Sequence, residues 1–302
     1  MLLRVTELRK PIGVILGVTL AMWCAPAFAQ KQFESAEQAA DALVTAARAG
    51  DQSAVLDILG PEGEEIVSSG DEVADRTVRE KFVAAYDAKH SLVVEDGKTI
   101  LVMGEDDWPF PIPIVGNDEA WEFETAEGVD EILRRRIGRN ELNAMEVSRA
   151  YVDAQKDYAE RDPGEHVYAQ RIVSSPGKKD GLYWPAQEGE SPSPLGELMA
   201  QASAEGYTVG DEPAPYHGYF YRILKRQGDG APGGAYDYVV NGKMIGGFAL
   251  IAFPALYGNS GIMTFIVNHD GALFEKDLGE DSETITGETE SFAPDETWKK
   301  ID

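Results

Sequence analysis

Apolar positions between residues 33 and 128 fall first at helical spacing and then at strand spacing. Ser35 with Gln38 reads as a capping box, and Ala39, Leu43, Ala46 and Ala47 follow at intervals of three and four until Gly50 stops the helix. Asp51 caps a shorter helix carrying Val55, Leu56 and Leu59, with Gly60 at its end. Thr77 with Glu80 reads as a second capping box, opening VREKFVAAYDAKH. SLVV and KTILVM then alternate around Glu95-Asp96-Gly97, which predicts a hairpin. In WPFPIPIVG the prolines 109, 111 and 113 alternate with Trp108, Phe110, Ile112 and Ile114. Proline has no N–H for a ladder, so this stretch reads as an edge strand with one apolar face buried, or alternatively as a polyproline ligand. Glu119 to Thr125 supplies one more alternating strand.

Gly128 leads into the longest helical pattern, roughly Asp130 to Arg161, closed by Asp162-Pro163-Gly164. Ile137, Asn140, Ala144, Val147, Tyr151, Ala154 and Tyr158 share one face, and the small residues among them allow close packing on a sheet. Arg149 and Asp153, Lys156 and Glu160, and Asp157 and Arg161 sit four apart on the outer surface. Residues 163–215 are rich in Gly, Pro, Ser and acids, with one short helix over Pro194 to Glu205. Five strand candidates follow: GYFYRILKR, AYDYVVNGKM, GGFALIAFP, GIMTFIV and ALFEKDL. Gly228 to Gly234 reads as a loop, because no helix follows it to make a phosphate cradle.

These elements predict an α+β fold in two parts. Residues 30–128 form a helices-plus-meander unit of the cystatin or nuclear-transport-factor-2-like kind, and residues 129–302 form a long helix packed on an antiparallel sheet. Residues 1–29 read as a signal peptide: Arg4, Arg9 and Lys10 lead in, Ile12 to Met22 is apolar, and Ala27-Phe28-Ala29 predicts cleavage after Ala29. The competing reading is an uncleaved anchor. The apolar stretch is short for a bilayer span, and no later segment is long enough, so no stable membrane insertion is expected after cleavage.

Charge and cysteine usage narrow the possible functions. The 302-residue chain carries −26, and loss of Arg4, Glu7, Arg9 and Lys10 with the signal takes away a net +2, leaving −28. Such a surface repels phosphate backbones and anionic lipid, which argues against nucleic-acid partners; cationic partners and divalent cations stay open. Cys24, the one cysteine, falls inside the expected signal, so the mature chain has no disulfide, thiolate nucleophile or Cys-ligated metal.

Two resemblances add to this reading. NELNAMEVSRAYVDAQKDYAE, an irregular segment, then GYFYRIL, GGFALIAFPALYG and GIMTFIVNHDGALFE are ordered as in the globular heads of type IV pilins and type II secretion pseudopilins. The likeness covers about residues 137–279 and implies a helix on an antiparallel meander. The apolar N-terminal filament helix of pilins has no counterpart here beyond the expected signal. WPFPIPIV, RRRIGRNEL, DGLYWP, PYHGYFYRIL, NGKMIGGFALIAFPA and SGIMTFIVNHDG are similar to the bacterial exported family catalogued as domain of unknown function 2950. That resemblance implies export and one conjoined unit, and brings no activity, cofactor or site residues.

A search for chemistry yields candidates without a fingerprint, so no catalytic, cofactor-binding or metal residue is assigned. Gly258-Asn259-Ser260-Gly261-Ile262 lacks the final glycine of a nucleophile elbow. His90, His166, His217 and His269 are scattered. Glu105-Asp106-Asp107, and Asp277 with Glu280 and Asp281, read as solvated acidic loops or as weak calcium sites. Arg134, Arg135, Arg136 and Arg139 read as the one basic cluster of this acidic chain, expected to pair internally with the acidic excess, the alternative being a dock for an anion or a partner carboxylate. Trp108, Trp121, Trp184, Tyr183, Tyr216, Tyr219 and Tyr221 line a groove or fill the core. The leading expectation is a non-enzymatic exported cell-envelope protein, an interaction or assembly module with an envelope protein partner. The alternatives are an envelope glycan-acting hydrolase using paired carboxylates in an aromatic cleft, and a calcium-dependent binding protein. In GIMTFIVNHDGALFEKDLG, the first run reads as a central strand and His269-Asp270 as the exposed tip of the last hairpin.

Overall fold

The computed structural model describes residues 30–301 apart from 118–119, 162–163, 188, 209 and 211–212. The signal peptide expected over 1–29 lies outside the described residues, as do Glu119 and the Asp162-Pro163 helix stop. Helix α1 (Ala36–Ala49) starts on Ser35, whose Oγ accepts from the Gln38 N–H at 3.2 Å, and stops at Gly50, φ +67°. The return bond of the capping box goes one residue further back, from the Glu34 N–H to Gln38 Oε1. Asp51 caps α2 (Gln52–Leu59) through the Ala54 N–H. After the single turn of α3 (Glu64–Val67), helix α4 (Glu72–Ala88) begins five residues before the expected Thr77 cap. Its cap is Asp71, which accepts from the Ala74 N–H, while Thr77 sits inside the helix and donates to the Val73 carbonyl.

Strands β1 (His90–Glu95) and β2 (Lys98–Met103) pair as expected, around Asp96 and Gly97 at φ +48° and +81°, the two left-handed positions of a type I′ turn. The proline stretch supplies β3 (Trp108–Pro109) and β4 (Ile114–Gly116), both beside β2, and β5 (Trp121–Phe123) covers the far side of β4. Of the two strands from the proline stretch, β3 keeps an open side and β4 is an interior strand, contrary to the edge expected of the whole stretch. Interior placement is possible because the donors fall between the prolines: the Phe110 N–H reaches the Leu101 carbonyl, and Pro113 only accepts, from the Glu124 N–H. Leu101, Met103, Ile112, Ile114 and Phe123 meet Leu43, Val44, Ile58 and Leu59 in a first core.

Helix α5 (Thr125–Glu160) starts five residues before the expected Asp130 and is about 54 Å long at 1.5 Å per residue. Ile137, Asn140, Ala144, Tyr151 and Ala154 are buried along the anticipated face, whereas Val147 and Tyr158 are half-buried and Ser148, Val152, Gln155 and Ala159 take the deeper places. Ile132 packs on the first core, and Ala144, Tyr151, Val152 and Ala154 belong to a second one. One helix therefore ties two hydrophobic clusters together.

Helix α6 (Gly196–Glu205) precedes the second β region, which contains β6 (Tyr219–Leu224), β7 (Arg226–Gln227), β8 (Tyr236–Asp237), β9 (Val239–Val240), β10 (Lys243–Met244), β11 (Ala249–Pro254), β12 (Met263–Asn268) and β13 (Leu273–Asp277). The chain closes with α7 (Ser282–Glu288), β14 (Ser291–Phe292) and β15 (Lys299–Ile301). The main sheet runs β15-β13-β12-β11-β6, antiparallel throughout. AYDYVVNGKM, expected as one strand, is divided among β8, β9 and β10 in two small sheets off the main one. β12 is central, as GIMTFIV predicts, but β13 does not close the sheet, because β15 pairs outside it. The last hairpin turns through His269-Asp270-Gly271, with Asn268 Oδ1 accepting from the Asp270 and Ala272 N–H groups. His269 is not an exposed tip: its ring folds back edge-on against Tyr238 and Phe248, and its buried Nδ1 has no hydrogen-bond partner. Among the described residues, no helix is long and apolar enough to cross a membrane.

Candidate functional site

The edges of the two sheets are treated differently. Lys299 and Lys300 occupy β15, and Phe33 bridges Trp121 outside β5, so lysine guards one edge and chain covers the other. At β6 the partner strand is started and abandoned. Tyr216 and Tyr219 exchange both backbone hydrogen bonds around His217 and Gly218, at φ +51° and +78°. The next rung would pair Ala214 with Tyr221, but the preceding Pro213-Ala214-Pro215 does not form it, and the Ala214 N–H has no backbone partner among the described residues. Ladder groups alternate sides along a strand. Tyr219 faces away from β11, and so do Tyr221 and Ile223; the Lys225 carbonyl on the same side accepts from the Tyr238 N–H at 2.9 Å. Between those two closed ends, the outward backbone groups of Tyr221 and Ile223 have no backbone partner among the described residues.

A groove of about 620 Å³ lies alongside this gap, walled opposite by Gln170, Arg171 and Ile172. That wall is held from behind, where the Leu182 and Tyr183 N–H groups donate to the Arg171 and Ile172 carbonyls and Gln170 Nε2 donates to Gly242 O at 2.9 Å. Four cations, Arg171, Arg222, Lys225 and Arg226, line the groove against one carboxylate, Glu290, in a chain of net charge −26. Arg222 donates to the Thr286 and Thr289 carbonyls, which fixes its guanidinium; burial lowers its pKa from the ordinary arginine value, and Glu290 opposes that. Arg226 lies 3.5 Å from both Asp237 and Glu290, whereas Lys225 is exposed and pairs with no carboxylate among the described residues. Cations beside unanswered amides suit an extended polymer that carries negative charge.

A hydrogen-bonded junction sets the β6 end of this groove. Asp71 is 1 % exposed, and its Oδ2 accepts from the Tyr207 hydroxyl and the Gly218 N–H, both at 2.9 Å. Tyr207 in turn accepts from the His217 N–H, and His217 Nε2 lies 2.6 Å from Glu205 Oε2. Burial alone would raise the Glu205 carboxyl, but hydrogen bonds from His217 and Gln201 outweigh it and hold the group below its usual pKa. Burial raises the Tyr216 hydroxyl to about 12, with the Glu205 charge adding to the effect. Nearby, Arg136 donates to the Glu65 and Ile66 carbonyls and to Asn259 Oδ1, while Asn259 Nδ2 donates to the Glu65 and Ser68 carbonyls.

The residues singled out in the sequence end up mostly in structural roles. Ser260 is buried, with its Oγ bonded to the Leu256 amide and carbonyl, so it locks a turn. Arg134 and Arg135 pair with Glu131, but Arg136 is satisfied by carbonyls and not by the acidic excess. Asp107 pairs with Lys89, and Asp277 accepts from the Tyr257 hydroxyl and the Gly279 N–H. Among the described residues no three His, Cys, Asp or Glu side chains converge to hold a metal ion. Trp184 is buried beneath the Arg161 guanidinium, 4.2 Å away, Tyr219 is core, and Tyr216 stacks on His217. Asn259, Asp71, Tyr207, Arg171 and Lys225 were not anticipated. The visible signal was the basic run Arg222, Lys225, Arg226 beside proline-broken PAPY in an acidic chain.

Fold and site together define an α+β protein with two five-stranded sheets joined by one long helix and an open, basic-rimmed strand edge. The chain belongs to the family described as Protein of unknown function (DUF2950), whose model matches residues 30–301. No curated protein and no solved structure matches it, so the likenesses to pilin heads and to cystatin-type cones rest on element order alone.

Proposed function

We propose that this is a non-enzymatic, exported interaction module of the cell envelope that captures an extended acidic segment of a partner protein along β6. The carrying observation is the coincidence of unanswered backbone groups at Tyr221 and Ile223 with Arg171, Lys225 and Arg226 around the same groove. The incoming strand gains main-chain hydrogen bonds, and its carboxylates meet the rim. Export is supported by the signal-like residues 1–29 and by a family match that begins at Gln30, the residue after the expected cleavage point.

The test is fluorescence anisotropy with a labelled extended peptide alternating glutamate and valine, titrated with the purified chain at two salt concentrations. Binding is expected to weaken with salt and to fall about tenfold in Lys225→Glu, the size of one lost charge pair. Ile223→Pro removes an N–H that faces the groove and no bond to β11, and is expected to abolish binding. Equal affinity for a lysine-valine peptide, or binding indifferent to both substitutions, would overturn the proposal.

A further inference from the structure

Strand β1 is the longest uncovered edge of the first sheet, and its chemistry differs from that of β6. The two-residue turn makes Glu95 and Lys98 a bonded pair, so Glu95, Val93 and Ser91 face β2. The Gly104 N–H donating to the Lys89 carbonyl at 2.9 Å keeps the same parity. His90, Leu92 and Val94 therefore point their backbone groups outward, and no backbone partner answers Leu92 or Val94 among the described residues. The strand holds no proline, and Val94 and Val93 are 73 % and 39 % exposed. Nothing like the Lys299-Lys300 pair on β15 or the Phe33 cover on β5 protects it.

We infer that β1 is a self-association edge, occupied by β1 of a second copy of this chain in antiparallel register. The outward parity allows bonded pairs only between even-numbered residues, and a two-fold axis at Leu92 satisfies it. Leu92 then faces Leu92 of the second copy, Val94 faces His90, Val93 faces Ser91, and Glu95 faces Lys89. The last pair occurs twice by symmetry and supplies opposite charges at both ends of the shared ladder. Lys89 is exposed and bridges to Asp107 at 2.7 Å, so pairing with Glu95 of the second copy exchanges one exposed carboxylate for another. The result is one sheet continuing through two molecules, with both helical layers on the same side.

Sedimentation equilibrium of the purified chain over a wide concentration range tests this, at about 0.15 M salt, where repulsion between two acidic copies is screened beyond about 8 Å. A reversible monomer–dimer equilibrium is expected. Lys89→Glu and Glu95→Lys should each weaken dimerisation about tenfold, by placing like charges opposite one another twice, and the double variant should restore it. Val94→Pro removes an outward N–H without touching the β1–β2 ladder and should leave a monomer with unchanged circular dichroism. Should that variant misfold, the charge-reversal cycle decides by itself. A chain that stays monomeric at every concentration, or a dimer indifferent to the charge reversals, overturns the inference.

Discussion

Asp71 shows how much a single buried side chain organises. It caps α4, receives the Tyr207 hydroxyl, and holds the Gly218 amide at the turn that launches β6. Asp71→Asn places an amide NH₂ against groups that themselves donate, leaving at least one buried donor without an acceptor. The expected cost is about 3 kcal/mol, read from the denaturant midpoint at unchanged m-value. Tyr207→Phe leaves Asp71 its two amide partners but takes the acceptor from the His217 N–H, so it should cost about 1–2 kcal/mol. Aspartate at a helix start was readable near residue 71 only in hindsight, because Thr77 with Glu80 offered the stronger local pattern. The choice between the two caps was made by Tyr207 and Gly218, which lie far along the chain and have no signature near Asp71.

At the scale of elements, α5 carries two glycines with opposite expectations. A Cβ on Gly138 meets nothing within 4 Å, whereas one on Gly128 would stand 2.6 Å from Ile112 and from the Pro111 carbonyl. Gly138→Ala should stabilise the chain by about 0.5–1 kcal/mol through helix propensity, and Gly128→Ala should destabilise it by about 1–3 kcal/mol through overpacking. Differential scanning calorimetry of both variants checks the pair. The long helix, the 95–98 hairpin and the central β12 were all legible, because each follows from local periodicity and turn chemistry. The interior position of β4 was not, since the hydrogen bonds that make it tolerable come from Leu101 and Glu124. Strand β15 escaped notice for a related reason: Lys299-Lys300-Ile301 has no apolar alternation, and its pairing with β13 is what makes it a strand.

The whole molecule should be sensitive to alkali. Burial pushes the Tyr151, Tyr219 and Tyr238 hydroxyls well above the ordinary 10.0, and all three rings are at most 2 % exposed. A raised folded pKa means that the native state keeps its proton after the unfolded chain has lost it. Stability is therefore complete below about pH 10 and declines above it, by about 1.4 kcal/mol per pH unit for each such tyrosine. Chemical denaturation at pH 9, 10 and 11 checks this, and a flat profile would show that these hydroxyls ionise freely in the folded chain. The two hydrophobic clusters share α5 and are cross-bonded by Arg136 and Asn259, which carry most of the polar contact between the α3 region and the 256–260 loop.

By itself the sequence determined the α+β class, the order of most elements, the family, and the absence of cysteine after Cys24, because these depend on periodicity, turn residues and composition. Tertiary structure alone decided which strands are edges, which aspartate caps α4, and where the scattered cations converge. Arg171 and Lys225 are 54 positions apart, and nothing in local pattern relates them. They line one groove because β6 runs beside residues 170–172 and because the strand begun at Tyr216 makes no second rung to fill the space between.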